Sequence, residues 1–423
     1  MMKILVVTVG GSLAPIRSEW QALQPDLTYF VCSCDDPVAG TAGSCKDVTG
    51  PSKSSLVNEF GLQDDAFRVV EVEPDDLVGA WLRLSDVLAN IRTEYPEASV
   101  YADYTGGTKS MTAALVLASA DKDFLQLRVV TGSRGNLVKV VDGTQSPQPV
   151  DIGPIRARRD FEVAAAHWQS YNYESTVRAL NALLPDFPAS PLRNQATFVR
   201  TVSQAFGSWD RFAYVQALSC LDVFDHHMSP ALREYHIALK DLSRKTNKEP
   251  KLTLLYLWDL WLNINRRAEQ GRFDDAVVRS YRLLEASGQW ILSFHGINTA
   301  RVDVNSLPEG LQTELAIRSE VVKPVSIGLF STWIVVHHFD QGVLATEMRS
   351  QTSTWRSLIE TRNRAFLGHG FEPITKEEWA QWLSWLQSRF IPALKQEAMD
   401  RGIRRFPDQL PRSITEILAS QPS

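Results

Sequence analysis

Strand and helix signals alternate through the first third of the chain and then strands all but vanish near Asp160. That change of texture constrains the fold more than any other feature, because alternating strands and helices build a mostly parallel sheet covered on both faces. Residues 3–9 (KILVVTV) read as a buried strand running into Gly10-Gly11-Ser12. Ile16, Trp20 and Leu23 follow at helical spacing, then strands at 27–32 and 67–72. Leu77, Trp81, Leu84, Leu88 and Ile91 mark one face of an amphipathic helix. A strand at 99–104 ends in Thr105-Gly106-Gly107-Thr108-Lys109-Ser110, and a small-residue helix follows at 111–120. Strands at 124–131 and 137–141, joined by Ser133-Arg134-Gly135-Asn136, predict a hairpin. The Pro-rich stretch 147–154 reads as a linker or an edge connection.

From Asp160 the pattern is helical. Phe161, Ala165, Trp168 and Tyr171 keep helical spacing, and no repeat of fixed period is evident. Helices are expected over 252–265, from Gly271 through Leu292, over 348–366 and over 376–393. The chain of 423 residues is long enough for two or three domains. The expected division is an α/β Rossmann-like domain at 1–150, a helical connecting region at 151–264, and an all-α bundle at 265–423.

Totals narrow the function. Lys and Arg number 44 against 49 Asp and Glu, a net charge of −5, so any nucleic-acid site must be local. No apolar run is long enough to span a bilayer, and residues 4–9 are too few for a signal-peptide core, which predicts a cytosolic protein with no membrane partner. Four cysteines fit that setting, with Cys32, Cys34 and Cys45 expected as reduced bystanders rather than a zinc site. His226-His227 and His337-His338 lack ligand spacing, since adjacent helical residues point about 100° apart. They are expected to be structural or on the surface, and no metal site is expected.

Two stretches carry chemistry. The turns at 10–12 and 105–110 both follow a strand and precede a helix, at the sheet edge where ligands bind. Their glycines let backbone N–H groups approach an anion, while Lys109 and the hydroxyls of Thr105, Thr108 and Ser110 complete a phosphate cradle. Neither turn is a P-loop or a dinucleotide fingerprint. The second stretch runs Thr361-Arg362-Asn363-Arg364-Ala365-Phe366-Leu367-Gly368-His369-Gly370. On a continuous helix Arg362 and His369 would be about 700° apart and share a face, with Arg364 about 140° off it unless the helix breaks near Gly368. A guanidinium grips phosphate oxygens and an imidazole moves protons near neutral pH, so the pair suits phosphodiester chemistry.

Asp103-Tyr104-Thr105-Gly106-Gly107-Thr108-Lys109, after a first strand ending in Gly10-Gly11-Ser12, resembles the CARF domain (CRISPR-associated Rossmann fold) over roughly the first 145 residues. That resemblance implies that two such domains pair and that loops 10–12 and 105–109 bind one cyclic oligoadenylate across the two-fold axis. Gly10, Gly11, Ser12, Asp103, Thr105, Gly106, Gly107, Thr108 and Lys109 are then the ligand-binding set. Residues 271–292 together with Arg362-Asn363 and His369-Gly370 resemble a HEPN ribonuclease domain, whose motif places four to six residues between Arg and His. Arg362 with six between and Arg364 with four both satisfy it; Arg362 is preferred because Asn363 follows it and because of the shared helical face.

Together the two resemble the CARF–HEPN ribonucleases of type III CRISPR defence. That implies a homodimeric, metal-independent endonuclease for single-stranded RNA, activated by cyclic oligoadenylate, with tetra-adenylate expected ahead of hexa-adenylate. Arg362, Asn363, His369 and Arg364 form the implied catalytic set, completed across the dimer. The alternatives are a non-catalytic sensor or adaptor, in which Arg362 and His369 hold the dimer together, and an N-terminal domain that also cleaves its activator.

Overall fold

The computed structural model describes the chain except residues 36–41, 54, 136–138, 141–142, 186, 188–189, 227, 244–253, 316–323 and 419–423. The chain divides into two compact units, 1–159 and 160–423.

The first unit holds strands β1 (Lys3–Thr8), β2 (Leu27–Ser33), β3 (Phe67–Val72), β4 (Ser99–Asp103), β5 (Leu125–Thr131), β6 (Arg134–Gly135), β7 (Lys139–Val140) and β8 (Ser146–Pro149). Its helices are α1 (Ala14–Leu23), α2 (Lys46–Thr49), α3 (Leu56–Phe60), α4 (Leu77–Glu94) and α5 (Lys109–Ala120). Six strands form one sheet in the order β3-β2-β1-β4-β5-β8, parallel except for β8. Side chains alternate across β1: Ile4 and Val6 join Leu84, Leu88 and Leu115 of α4 and α5, while Leu5 and Val7 join Ile16, Val48 and Leu56 of α1, α2 and α3. Both faces of the sheet are therefore covered, which is why its strands read as unbroken apolar runs. Strand order reverses between β1 and β4, so the loops after these two strands lie at the topological switch point.

Three expectations are corrected here. The antiparallel partner of β5 is β8, not residues 137–141, of which 137, 138 and 141 lie outside the described residues. Pro147 and Pro149 are tolerated in β8 because it is an edge strand. Cys32 and Cys45 are joined in a disulfide, because the chain after β2 returns and sets the start of α2 beside it; Cys34 and Cys220 are free. The buried stripe of α4 is Ala80, Leu84, Val87, Leu88 and Ile91, while Leu77 and Trp81 are 39% and 40% exposed beside exposed Val78 and Leu82. The first turns of α4 thus carry an uncovered apolar patch.

The helix α6 (Gly153–Ala166) crosses the boundary between the units. Beyond it come α7 (Tyr173–Leu183), α8 (Pro191–Asp210), α9 (Tyr214–Asp222), α10 (Pro230–Ser243), α11 (Leu254–Glu269) and α12 (Phe273–Phe294). The remainder is α13 (Glu309–Glu314), α14 (Leu329–Phe339), α15 (Val343–Ser350), α16 (Thr352–Arg364), α17 (Lys376–Trp385), a π-helical turn at Leu386–Phe390, α18 (Ile391–Asp400) and α19 (Thr415–Leu418).

One turn geometry, seen also at Gly61, Gly296 and Gly402, is followed by an aromatic-led helix at three places among the described residues. Tyr171, Phe212 and Gly271 each have positive φ (54°, 62° and 72°). Each donates its N–H three residues back, and the next residue donates five back: Tyr171 to Trp168 and Asn172 to His167, Phe212 to Trp209 and Ala213 to Ser208, Gly271 to Ala268 and Arg272 to Arg267. An aromatic ring follows two positions on (Tyr173, Tyr214, Phe273), and a fully buried small residue five on (Thr176, Ala217, Ala276). This is a helix–turn–helix repeat with unequal spacing, so a search for a fixed period passes over it.

A buried polar network ties the repeats together. Asp259 accepts hydrogen bonds from Trp209 Nε1 (3.0 Å) and the Tyr214 hydroxyl (2.9 Å), and burial raises its pKa. Fully buried Arg266 donates to Asp210 (2.8 Å) and to Gln409 (2.6 Å). The C-terminal core runs from α11 to α18 around Trp290, Trp333, Trp355 and Trp382.

Candidate functional site

In the first unit, the loops after β1 and β4 touch through their backbones. A Cβ on Gly10 would stand 2.5 Å from the Gly107 nitrogen, and one on Gly106 would overlap the Thr8 carbonyl oxygen. Glycine is what lets the loops meet. The Thr8 hydroxyl donates to the Gly106 carbonyl (2.6 Å), which also accepts from the Thr112 hydroxyl (3.0 Å). Thr108 caps α5 by accepting from the Met111 N–H (3.3 Å), and its hydroxyl donates to the Pro74 carbonyl. Gly11, Ser12 and Lys109 are exposed. The first turn of α5 therefore presents Lys109 at a helix N-terminus, a place that favours anions.

Asp103 and Thr105 face inward. Asp103 is 1% exposed; its Oδ1 accepts the Thr105 N–H (2.7 Å), while Oδ2 is buried without a partner. The Thr105 hydroxyl oxygen accepts the Val130 N–H (2.7 Å). These two residues fix the loop from beneath. Burial pushes Asp103 up to about 6, and the nearby Glu19 carboxylate pushes the same way. Glu19, wholly buried on α1, pairs with Arg128 of β5, and burial raises its pKa also. Sequence reading missed this pair, although a glutamate at 19 interrupts the apolar stripe of Ile16, Trp20 and Leu23.

In the second unit, α16 ends at Arg364 and Ala365 is already extended. The shared helical face expected for Arg362 and His369 is therefore corrected: the helix stops well before His369. A tight loop brings the histidine back instead. The His369 N–H donates to the Asn363 carbonyl (3.1 Å), the Gly368 and Gly370 N–H groups to the Ala365 carbonyl (2.8 and 3.2 Å), and a bridge pairs Ala365 with Glu372. A Cβ on Gly368 would overlap the Arg362 carbonyl oxygen, and one on Gly370 that of Arg364, so both glycines are needed for the return. Asp274 of α12 accepts the Ile374 N–H and anchors the far end of the loop (3.3 Å).

The two arginines differ sharply. Arg364 is tied to Glu372 (3.1 Å) and Glu378 (3.3 Å). Arg362 lies over the Tyr281 ring of α12, 4.7 Å from its centroid, and donates to Asn363 Oδ1 (3.1 Å). Its Nε is buried without a partner. Asn363 and His369 are exposed, as are Phe366 (68%), Leu367 (51%) and Phe371 (88%). The His369 backbone is thus brought back against Asn363, the neighbour of Arg362, with Arg364 held by carboxylates. Tyr281 was not foreseen, since nothing local in the sequence joins it to Arg362.

His226 and His338 are exposed, and His227 lies outside the described residues. His337 is half-buried, and burial followed by Arg349 pushes it down to about 4.

Comparison with known proteins bears on both units. Residues 245–389 match the family model of the Csm6 HEPN domain. Enterococcus italicus Csm6, solved with cyclic hexa-2′-fluoro-hexa-dAMP, is similar in fold across 95% of each chain, with a TM-score of 0.56 and 12% identity. A type III CRISPR defence DNA nuclease activated by cyclic oligoadenylate shows slighter likeness (TM-score 0.25, 15% identity, 48% of this chain and 34% of that one). So does Can2 from Sulfobacillus thermosulfidooxidans in complex with cyclic tetra-adenylate (TM-score 0.24, 12% identity, 52% of this chain and 68% of that one). No curated protein matches the sequence. A Rossmann-like sheet thus leads into a helical region whose residues 245–389 match the Csm6 HEPN domain, and the chain has the fold of Csm6.

Proposed function

We propose that this protein is a CRISPR-defence endoribonuclease regulated by cyclic oligoadenylate, and that it cuts single-stranded RNA without a metal ion. The observation that supports the reading is the Gly368–Gly370 return, which brings the backbone of His369 against residues 362–365 within the stretch that matches the Csm6 HEPN domain. The nucleophile is supplied by the substrate. The ribose 2′-oxygen attacks the adjacent phosphorus, the bond to the 5′-oxygen breaks, and the 2′-OH proton is lost as the leaving oxygen gains one. Products carry 2′,3′-cyclic phosphate and 5′-OH ends. His369 transfers a proton, Arg362 stabilises charge on the phosphorane-like transition state, and Asn363 orients the guanidinium or the phosphate. Arg364 braces the loop through Glu372 and Glu378.

Two copies form the working unit, each giving one Arg–His set to a composite site. The uncovered Leu77, Val78, Trp81 and Leu82 of α4 support burial against a second copy of the first unit. The activator lies on Gly10, Gly11, Ser12, Gly106, Gly107, Thr108 and Lys109, with Asp103 and Thr105 shaping the loop below. It acts by binding the active arrangement more tightly than the resting one.

The test is cleavage of a fluorescent single-stranded RNA in EDTA, with no ligand, with cyclic tetra-adenylate and with cyclic hexa-adenylate. Tetra-adenylate is the expected activator; Enterococcus italicus Csm6 holds a hexa-adenylate analogue, so both rings are needed. Cleavage with one ring, abolished by His369→Ala, meets the expectation. Undiminished cleavage by a clean His369→Ala preparation sinks the catalytic assignment. Ligand binding without any cleavage turns the reading to a non-catalytic sensor.

A further inference from the structure

We infer that Tyr281 is the positioning residue for Arg362, holding the guanidinium by its face so that its N–H edges point at the scissile phosphate. The inference rests on the ribonuclease reading above and adds a residue outside the Arg–His motif. The Tyr281 ring lies on α12, whose neighbouring Leu283, Leu284, Ala286 and Ser287 are buried in the C-terminal core. It is therefore a fixed platform, unlike the exposed loop that carries His369. The guanidinium carbon stands 4.7 Å from the ring centroid, within cation–π range. A guanidinium laid by its flat face on a ring keeps its in-plane donors, the edges that grip two phosphate oxygens. One edge is steadied by Asn363 Oδ1 at 3.1 Å, while Nε is buried with no partner, so the outer N–H groups are the ones left to meet a phosphate. Among the described residues no carboxylate is bonded to Arg362, in contrast to Arg364, which has two. The ring supplies attraction without competing for the N–H groups, which a carboxylate at the same place would do. Arg282, next on the helix, is turned to Glu285 (2.7 Å) and Gln289 (3.0 Å) and so does not crowd the site with a second free cation.

The experiment uses the full-length, ligand-activated protein and steady-state RNA cleavage. Tyr281→Phe keeps the ring and is expected to stay within about twofold of the parent kcat. Tyr281→Leu removes the π face and is expected to lower kcat about tenfold with KM little changed, within the range such contacts supply. In an Arg362→Lys background, Tyr281→Leu should add less than twofold, because the planar group it positions is gone. Should Tyr281→Leu fold poorly, phenylalanine with increasing ring fluorination at 281 replaces it: shape is kept, ring charge falls, and kcat should fall stepwise at constant Tm. A flat fluorination series, or a Tyr281→Leu loss undiminished in the Arg362→Lys background, overturns the inference. Arg362→Ala and His369→Ala run alongside. If they cleave normally, the ribonuclease assignment itself fails; if they are dead and the 281 series is flat, only the role of Tyr281 fails.

Discussion

Both glycine-built loops, 105–110 in the first unit and 365–370 in the second, bring separate backbone segments closer than any side chain allows, yet they are supported in opposite ways. The first is braced from below: Asp103, Thr105, Thr8 and Thr112 all bond its backbone or its strand neighbours, and buried Glu19 pairs with Arg128 nearby. The second is held mostly by its own N–H groups and exposes Phe366, Leu367 and Phe371. A loop fixed from beneath presents a preformed surface of backbone donors. A loop held at its ends can shift its histidine with little disturbance of the core.

The largest effect separates the two arginines of the second loop. Arg362→Ala should reduce activated RNA cleavage about 10²–10³-fold, the scale of removing a charge-stabilising donor. Arg364→Ala releases Glu372 and Glu378 and should cost under about tenfold through loop distortion. Steady-state rates of the two variants decide it, and the reverse order would give Arg364 the catalytic role.

Next come the glycines. Gly370→Ala sets a methyl on the Arg364 carbonyl and should displace His369, lowering cleavage about 10²-fold while Tm scarcely moves. Gly106→Ala sets one on the Thr8 carbonyl at the core edge and should destabilise the first unit by about 1–3 kcal/mol. Thermal melts of the two variants check the contrast. Equal Tm losses would mean the two loops are supported alike.

Lys109→Ala tests the first loop from its ligand side. Loss of a charged hydrogen bond to phosphate is worth about 1.5–3 kcal/mol. The ligand concentration for half-maximal activation should therefore rise about 10–100-fold, and an unchanged curve would remove Lys109 from the cradle.

These contrasts also explain what could be read from the residues alone. The strand–turn–helix around Thr105 to Ser110 is local, so hydrophobic periodicity and glycine placement predict it, whereas the Thr108 hydroxyl, read as part of the phosphate cradle, instead caps the helix and bonds Pro74. Helix continuity past Arg364 was a reasonable expectation from periodicity, but Gly368 and Gly370 favour a chain reversal that periodicity does not register. The Tyr281–Arg362 contact and the disulfide between Cys32 and Cys45 join residues whose meeting is set by the tertiary fold. The three helix turns at Tyr171, Phe212 and Gly271 share geometry more than sequence, for only one of them uses glycine.

The smallest effect probes the brace beneath the first loop. The Asp103 carboxyl is raised to about 6, chiefly by burial, above its ordinary value of 3.8. A group raised on folding contributes stability that is fully present below the unfolded pKa and is lost as pH rises through the folded one. The first unit should therefore lose stability between about pH 4 and pH 6 and hold level above, from this group. Asp103→Asn keeps an oxygen to accept the Thr105 N–H and removes the charge. It also places an amide where Oδ2 has no partner, which offsets part of the gain. The expected balance is about 1 kcal/mol of added stability at pH 7, a few degrees in Tm, shrinking toward pH 4. Melting curves of parent and variant across that range measure it. A gap that does not change with pH would mean that Asp103 does not titrate there, and that the brace works through its hydrogen bond alone.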